Sequence, residues 1–371
     1  MVIPAGIELH RGRRMGMAYR VILWGTGFVG KMVIGELLHN PEYELVGVIG
    51  HFPEEIGKDV GELIGIDPVG LESSGDVDAV LSGEADAVAY YGPTAEFAQE
   101  NVENICKALR AGKNVVSTAM TPWVYHKAKH CPQSQIRPVE QACQEAGVTC
   151  FTTGIDPGFM NDIVPLTLMG VCGRIDSVRI QELQDYSNYR GSTAGMALGA
   201  PMHKKGILEN SNVLIYAWGP TVYMMADAVG AELEKVDTIY EKWATPEAIE
   251  YVKGVVEPGN CAAVHFEIRG WVAGRPAIVL EHVNRIGDAA APDWPTSQMA
   301  ENDSYRILIE GSPNITVEAA IRGEKDDDPS SGGCLATGMR AIHSIPAVCA
   351  AEPGVISALD LPLAPGRGTL R

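Results

Sequence analysis

Positive charge is scarce in this chain: 29 Lys and Arg stand against 47 Asp and Glu, for a formal net charge of −18. Nucleic acid and anionic membranes both require a basic face on the protein, so neither is expected as a partner. Long apolar runs are missing too. None reaches the ~18 residues needed to cross a bilayer. The arginine-bearing start "MVIPAGIELHRGRRMGMAYR" has no long apolar segment after it, which argues against a secretory signal and for a cytoplasmic protein. Residues 1–18 read as a flexible extension, with Met15 or Met17 as the working start. Cysteines are present but unpaired by pattern. Cys106, Cys131, Cys143, Cys150, Cys172, Cys261, Cys334 and Cys349 form no C-x-x-C, and no histidine stands at zinc spacing from any pair. That excludes a zinc knuckle and a disulfide framework, leaving reduced core thiols and no expected metal.

With 371 residues, the chain is long enough for two domains. From residue 19, short apolar runs alternate with helical patterns. Strands are expected at 20–25, 43–51, 86–92, 114–118 and 148–154, and helices at 31–40, 94–114 and 137–147. This alternation predicts parallel βαβ units with helices on both faces of one sheet. After residue 155 the texture becomes strand-like alternation at 174–187, 260–287 and 303–323, with Ala273-Gly274 placed as a hairpin turn. Helical pieces are expected at 206–230 and 245–254. The result is an α+β second domain with a mixed sheet, expected over 156–334. The helical "LATGMRAIHSIPAVCAAEPG" and tail, 335–371, are expected to pack back on the first domain, 19–155.

The stretch "YRVILWGTGFVGK" places Gly25, Gly27 and Gly30 in G-x-G-x-x-G spacing, directly after a strand and at the opening of a helix. In that context the pattern is a dinucleotide cradle of the Rossmann type. Gly25 makes the tight turn, Gly27 lets backbone approach a pyrophosphate, and Gly30 lets helix lie close to strand. Thr26, Phe28 and Val29 complete the loop. The second strand ends at Gly50 and His51, with Glu54 and Glu55 further on, so no carboxylate stands at its tip for a ribose 2′-hydroxyl. The pattern favours NADP(H) and permits NAD(H).

"DAVAYYGPTAEFAQENVENICKALRAGKNVVSTAM" resembles the nucleotide domain of the dihydrodipicolinate reductase superfamily. The resemblance implies that Tyr91, Gly92, Pro93 and Thr94, with Ser117, Thr118 and Ala119, flank the nicotinamide. The His-His helix and "SGTA" turn of the lysine-pathway reductase are missing. "GTGFVGK", "TTGIDPGFMNDIVPL", "GWVAGRPAIVLEHV" and "MRAIHSIPAVCAAEPG" are similar to the 2,4-diaminopentanoate dehydrogenase and native amine dehydrogenase group. That likeness implies a homodimer and hydride transfer between NAD(P)H and a carbonyl- or imine-derived carbon. Amine dehydrogenases of this group carry a glutamate just after the "VVST" strand. Here Ala119, Met120 and Thr121 stand in its place. A carboxylate there would hold an ammonium or iminium.

Hydride chemistry belongs to the cofactor, so the protein must orient substrate and manage a proton. The loop "DYSNYRGSTAGMALGAPMHKKG" offers Tyr186, Tyr189 and His203; of these, Tyr189 and His203 are the candidate catalytic groups. Asn161 is a candidate for the nicotinamide amide. Asp156 reads either as a site residue or as a turn residue before Pro157. Met120, Met160, Tyr186, Met196, Leu198 and His265 are candidate pocket walls, and Lys204 or Lys205 a candidate anchor for an anionic substrate. His265 alternates with Phe266, so one of the two faces inward. The expected function is an NAD(P)-dependent oxidoreductase acting at the C=O or C=N carbon of a small, mostly apolar molecule. The alternatives are an amine dehydrogenase with a substitute acid, and a non-catalytic NAD(P)-binding sensor or scaffold.

Overall fold

A computed structural model describes residues 17–93, 97–189, 193–299, 303–324 and 330–370. Thr94 and nearly all of the expected N-terminal extension lie outside the described residues. The chain forms two compact units, Met1–Met120 with Gln133–Thr153 and Gly338–Arg371, and Thr121–Pro132 with Gly154–Thr337.

The first unit is built on β1 (Tyr19–Trp24), α1 (Phe28–His39), β2 (Tyr43–Ile49), α2 (Val60–Ile64), β3 (Ser73–Ser74), α3 (Val77–Ser82), β4 (Ala87–Tyr90), α4 (Ala98–Arg110), β5 (Asn114–Ser117), α5 (Gln133–Ala146) and β6 (Thr149–Thr152). Its strands are short Val/Ile/Ala runs buried along almost their whole length, as a parallel sheet covered on both faces requires. The sheet order is β3-β2-β1-β4-β5-β6, followed by a late strand β15 (Gly354–Ile356), and every pairing is parallel. Val33, Ile34 and Leu37 of α1 pack on Val21 and Leu23 together with Ile342, Ile345 and Val348 from the end of the chain.

The second unit contains α6 (Ile163–Met169), β7 (Arg174–Asp185), α7 (Ser211–Val229), β8 (Lys235–Ala244), β9 (Ile249–Tyr251), β10 (Gly254–Val256), β11 (Cys261–Val272), β12 (Arg275–Arg285), β13 (Ser304–Ser312) and β14 (Ile315–Ala319). Six strands form a mixed sheet in the order β14-β13-β7-β12-β11-β8, in which only β7 and β12 pair in parallel. The β11–β12 turn places Ala273 (φ 51°) and Gly274 (φ 75°) in the left-handed region that a two-residue hairpin turn requires. The helix expected at 245–254 is instead the hairpin β9–β10. Ile249, Tyr251 and Val256 pack there on a small core with Cys261 and Val264, and this tertiary burial outweighs the helical spacing.

One face of the mixed sheet is apolar. Val178, Ile180, Phe266, Ile268, Ile278, Leu280 and Ile307 pack on Leu214, Val222 and Met225 of α7. The opposite face carries ion pairs, among them Arg179 with Glu267 and Glu281, and Arg306 with Glu318. The last helix, α8 (Ser330–Ala350), contributes Ala341 and Ile345 to the first unit's core. No helix among the described residues is long and apolar enough to cross a membrane. None of the eight cysteines forms a disulfide, and five are buried.

Candidate active site

The glycine loop shows why each glycine is there. Gly25 has φ +114°, and a Cβ on it would lie 2.6 Å from the Tyr91 carbonyl oxygen. A Cβ on Gly30 would lie 1.9 Å from the Gly25 carbonyl oxygen, so only glycine lets α1 start this close to β1. A Cβ on Gly27 would meet nothing within 4 Å. That open space lies at the N-terminus of the twelve-residue α1, where no side chain caps the free N–H groups. Backbone donors and a positive helix end facing open space fit a pyrophosphate. The described residues of the loop therefore suit a nicotinamide dinucleotide.

The loop is braced from beneath by Glu55, which is buried. One of its oxygens accepts a hydrogen bond from Thr26, and the other pairs with Lys31 Nζ at 2.6 Å. Burial opposes the ionised Glu55, but Lys31 and Thr26 outweigh it and hold its pKa below the ordinary value. His51 is exposed just beyond β2. Tyr91 is buried and donates to the Gly338 carbonyl at 2.9 Å, and the Tyr90 ring leaves no room for a side chain at Gly92. Asn101 ties this end of the sheet together through Tyr90, the Pro93 carbonyl and the Met120 sulfur. Ala119 N–H donates to Ser117 Oγ at 3.1 Å, and Thr118 N–H to the Tyr90 carbonyl. Met120 is thus a core residue of the first unit.

In the second unit the apolar face of the mixed sheet ends in a polar cluster. Val178, Ile180 and Glu182 share one face of β7, and Ile278, Leu280, His282 and Asn284 share it on β12. Asp156 joins them from the segment before α6. Carboxylate oxygens of Asp156 and Glu182 and a ring nitrogen of His282 all lie within 4.8 Å of one another. His282 Nδ1 stands 3.3 Å from Glu182, and its Nε2 3.9 Å from Asp156. Asp156 accepts from Trp218 Nε1 at 2.9 Å and from the Asn161 amide. Glu182 accepts from Asn284 and from the Tyr305 hydroxyl. The His282 ring lies flat on Phe266 (4.5 Å, 9°) with Trp218 at its edge.

The electrostatics divide the two acids. Burial pushes the Asp156 carboxyl up to about 7 against the pull of His282, and Glu182 adds to the rise. Burial opposes the ionised Glu182 as well, but His282, Asn284 and the hydroxyl of a protonated Asp156 outweigh it and lower its pKa. Burial also disfavours a charged His282, yet the two carboxyls overcome this and raise its pKa. The cluster therefore sets its two acids apart, Asp156 shifted toward its protonated form and Glu182 toward its carboxylate, beside a His282 shifted toward its charged form, the arrangement in which neighbouring carboxyls take different roles.

A cavity of about 250 Å³ opens onto Asp156 and Glu182 and is lined also by Tyr186, Tyr189, Tyr305 and Cys334. Of the expected site residues of this unit, Tyr186 and Tyr189 line it, their rings edge to face at 5.0 Å. His203, Lys204 and Lys205 are exposed and do not line it. Met160 belongs to the core beneath the sheet, and Met196 and Leu198 to the smaller core around Cys261. His265 lies on the opposite, charged face, bonded to Glu281 at 2.9 Å, while Phe266 points inward. Asn161 is fully buried with its amide on Asp156. Glu182 and His282 escape a reading of the sequence because they sit among strand residues that alternate in polarity. The available signal is parity: each stands in register with the apolar side of its own strand.

The 2,4-diaminopentanoate dehydrogenase C-terminal domain family matches residues 159–367, and the N-terminal family of dihydrodipicolinate reductase matches residues 19–131. The chain is 35% identical over 354 residues to an amine dehydrogenase of Streptomyces virginiae, covering 94% of this chain and 98% of that one. It is 23% identical to the 2,4-diaminopentanoate dehydrogenase of Acetoanaerobium sticklandii, covering 93% of each. An amine dehydrogenase structure from Mycobacterium smegmatis superposes with a TM-score of 0.75 at 20% identity, over 95% of this chain and 98% of that one. With a glycine loop shaped for a dinucleotide and a relative of this identity along nearly its whole length, the chain belongs to the amine dehydrogenase and 2,4-diaminopentanoate dehydrogenase family of NAD(P)-dependent oxidoreductases.

Proposed function

We propose that this protein is an amine dehydrogenase in which Glu182 and Asp156 supply the acid–base groups that residues 119–121 lack. The buried pair of unlike carboxyls, held by His282 and opening on one cavity, carries this reading. When bound, the nicotinamide supplies the hydride. Glu182, held toward its carboxylate form by His282, Asn284 and Asp156, receives ammonium and removes one proton from it at a carboxylate oxygen. Asp156, protonated below about pH 7, gives its proton to the hydroxyl that leaves the carbon as water. The proton taken up by Glu182 then resets Asp156 through their shared hydrogen bond. Overall, one carbonyl, one ammonium and one hydride yield one neutral amine and one water.

NADP(H) is the proposed preferred cofactor. No carboxylate stands at the tip of β2, and both oxygens of Glu55 are engaged by Thr26 and Lys31. The test is NADPH and NADH consumption over small ketones and aldehydes, with and without ammonium. Consumption is expected to require ammonium and to run faster with NADPH. Glu182→Gln should lower kcat/KM by about 10²–10³ while cofactor affinity stays unchanged. Ammonium-independent reduction of the same carbonyls, unaffected by Glu182→Gln, would make the protein a carbonyl reductase instead.

A further inference from the structure

Five residues cross the mixed sheet in one register row. Tyr240 on β8 pairs with Phe266 on β11, Phe266 with His282 on β12, His282 with Glu182 on β7, and Glu182 with Tyr305 on β13. Residues paired across strands project on the same face, so the row sets three rings side by side and then a carboxylate. Those rings are nearly parallel. Tyr240 and Phe266 lie 6.1 Å apart at 10°, Phe266 and His282 4.5 Å apart at 9°. Phe266 and His282 are each 2% exposed. Both ends of the stack are pinned: Tyr240 donates its hydroxyl to the Met196 carbonyl at 3.1 Å, and His282 meets Glu182 through Nδ1 at 3.3 Å. Phe266 is thus fixed between two rings.

Burial alone would ask of position 266 only an apolar side chain of that volume. What an aliphatic side chain lacks is the negative face of an aromatic ring, which attracts a cation within about 6 Å of its centroid. His282 is the group that gains from it. Burial disfavours its charged form, while Asp156, Glu182 and, from the opposite face of β12, Glu281 favour it. Glu281 is shared with Arg179 and His265. The pull of Asp156 fades below about pH 7, where that acid is protonated. A ring face does not titrate, and unlike a third carboxylate it would not repel Glu182.

We propose that Phe266 is a positioning residue for the acid pair: its ring face holds the charged form of His282 between Asp156 and Glu182, and His282 in turn keeps the two carboxyls in unlike states. The proposal rests on the acid–base reading of that pair. It adds a residue that does not line the cavity and acts only through its neighbour.

The experiment places para-fluoro-, difluoro- and trifluorophenylalanine at position 266 of the full-length enzyme. Each fluorine drains charge from the ring face and hardly alters its shape. His282 is followed by NMR of carbon-13-labelled histidine, its signal being the one that His282→Gln removes. Its titration midpoint is expected to fall stepwise, by about one pH unit across the series. A less charged His282 stabilises the Glu182 carboxylate less. The rising limb of kcat/KM against pH in reductive amination should therefore move to higher pH in the same order. Phe266→Leu drops the ring face altogether and should cost about tenfold in kcat/KM at neutral pH. A midpoint that ignores the fluorines would overturn the proposal, as would a loss in Phe266→Leu that fluorination does not reproduce, since packing alone would then explain the residue. A midpoint that follows the fluorines, with ammonium-independent reduction surviving Glu182→Gln, would keep the hold on His282 and overturn the reading of the acid pair instead.

Discussion

Two glycines of the loop, Gly30 and Gly27, separate folding from binding at single positions. A methyl at Gly30 would press on the Gly25 carbonyl, which is backbone and cannot rotate away, whereas a methyl at Gly27 would enter open space. Gly30→Ala is therefore expected to destabilise the protein by about 1–3 kcal/mol. Gly27→Ala should leave stability within about 0.5 kcal/mol yet weaken NADPH binding, and Gly27→Asp should abolish it by placing a carboxylate against the pyrophosphate. Urea melts and nicotinamide fluorescence titrations read the two effects apart. Unchanged cofactor affinity in Gly27→Asp would remove this loop from phosphate recognition. Glu55 belongs to the same scale: it braces Thr26 and Lys31 from below the loop.

At the scale of elements, α7 carries Trp218 to Asp156, and that N–H, after burial, His282 and Glu182, helps set where the acid titrates. The donor stabilises the carboxylate form, so removing it in Trp218→Phe favours the protonated form and raises the Asp156 pKa above about 7. Reductive activity, which needs the acid, should then persist to higher pH than in the parent enzyme. The profile of kcat/KM against pH at saturating ammonium measures the shift; a falling limb that does not move would exclude Asp156 as its source. The element pattern itself was legible where local rules dominate. The G-x-G-x-x-G loop, the strand–helix alternation of the first unit and the Ala273-Gly274 hairpin all follow from spacing and turn chemistry. What escaped depends on tertiary placement. Residues 249–256 pair as a hairpin because a small core receives them. Glu182 and His282 look like outward polar residues until β7 and β12 pair in parallel and bring them face to face. His203 and the Lys204-Lys205 pair were the visible polar groups of their loop, yet they are solvated. The sequence leaves Asp156 open between a site residue and a turn residue, since its partner Trp218 lies 62 positions away.

Across the whole molecule, carboxyl groups divide into two populations with opposite effects on stability. Burial opposes the ionised Glu281, but His265, Arg179 and Gln181 outweigh it and hold its pKa at about 2. Its contribution is present above the unfolded value near pH ~4.3 and is lost as pH falls through about 2. Asp303 runs the other way. Burial, with Asp185 and Asp288 nearby, pushes it up to about 6. A carboxyl raised in the folded state favours folding below its unfolded value near ~3.9, and that advantage is lost as pH rises through about 6. With a net charge of −18, adding further negative charge in the interior at neutral pH has no compensating excess of cations. Asp303→Asn keeps an oxygen for the Asp185 N–H and removes the ionisation. It is expected to stabilise the protein by about 1–3 kcal/mol at pH 7 and by little at pH 4. Urea denaturation at the two pH values checks this, and an equal gain at both would assign the effect to packing instead.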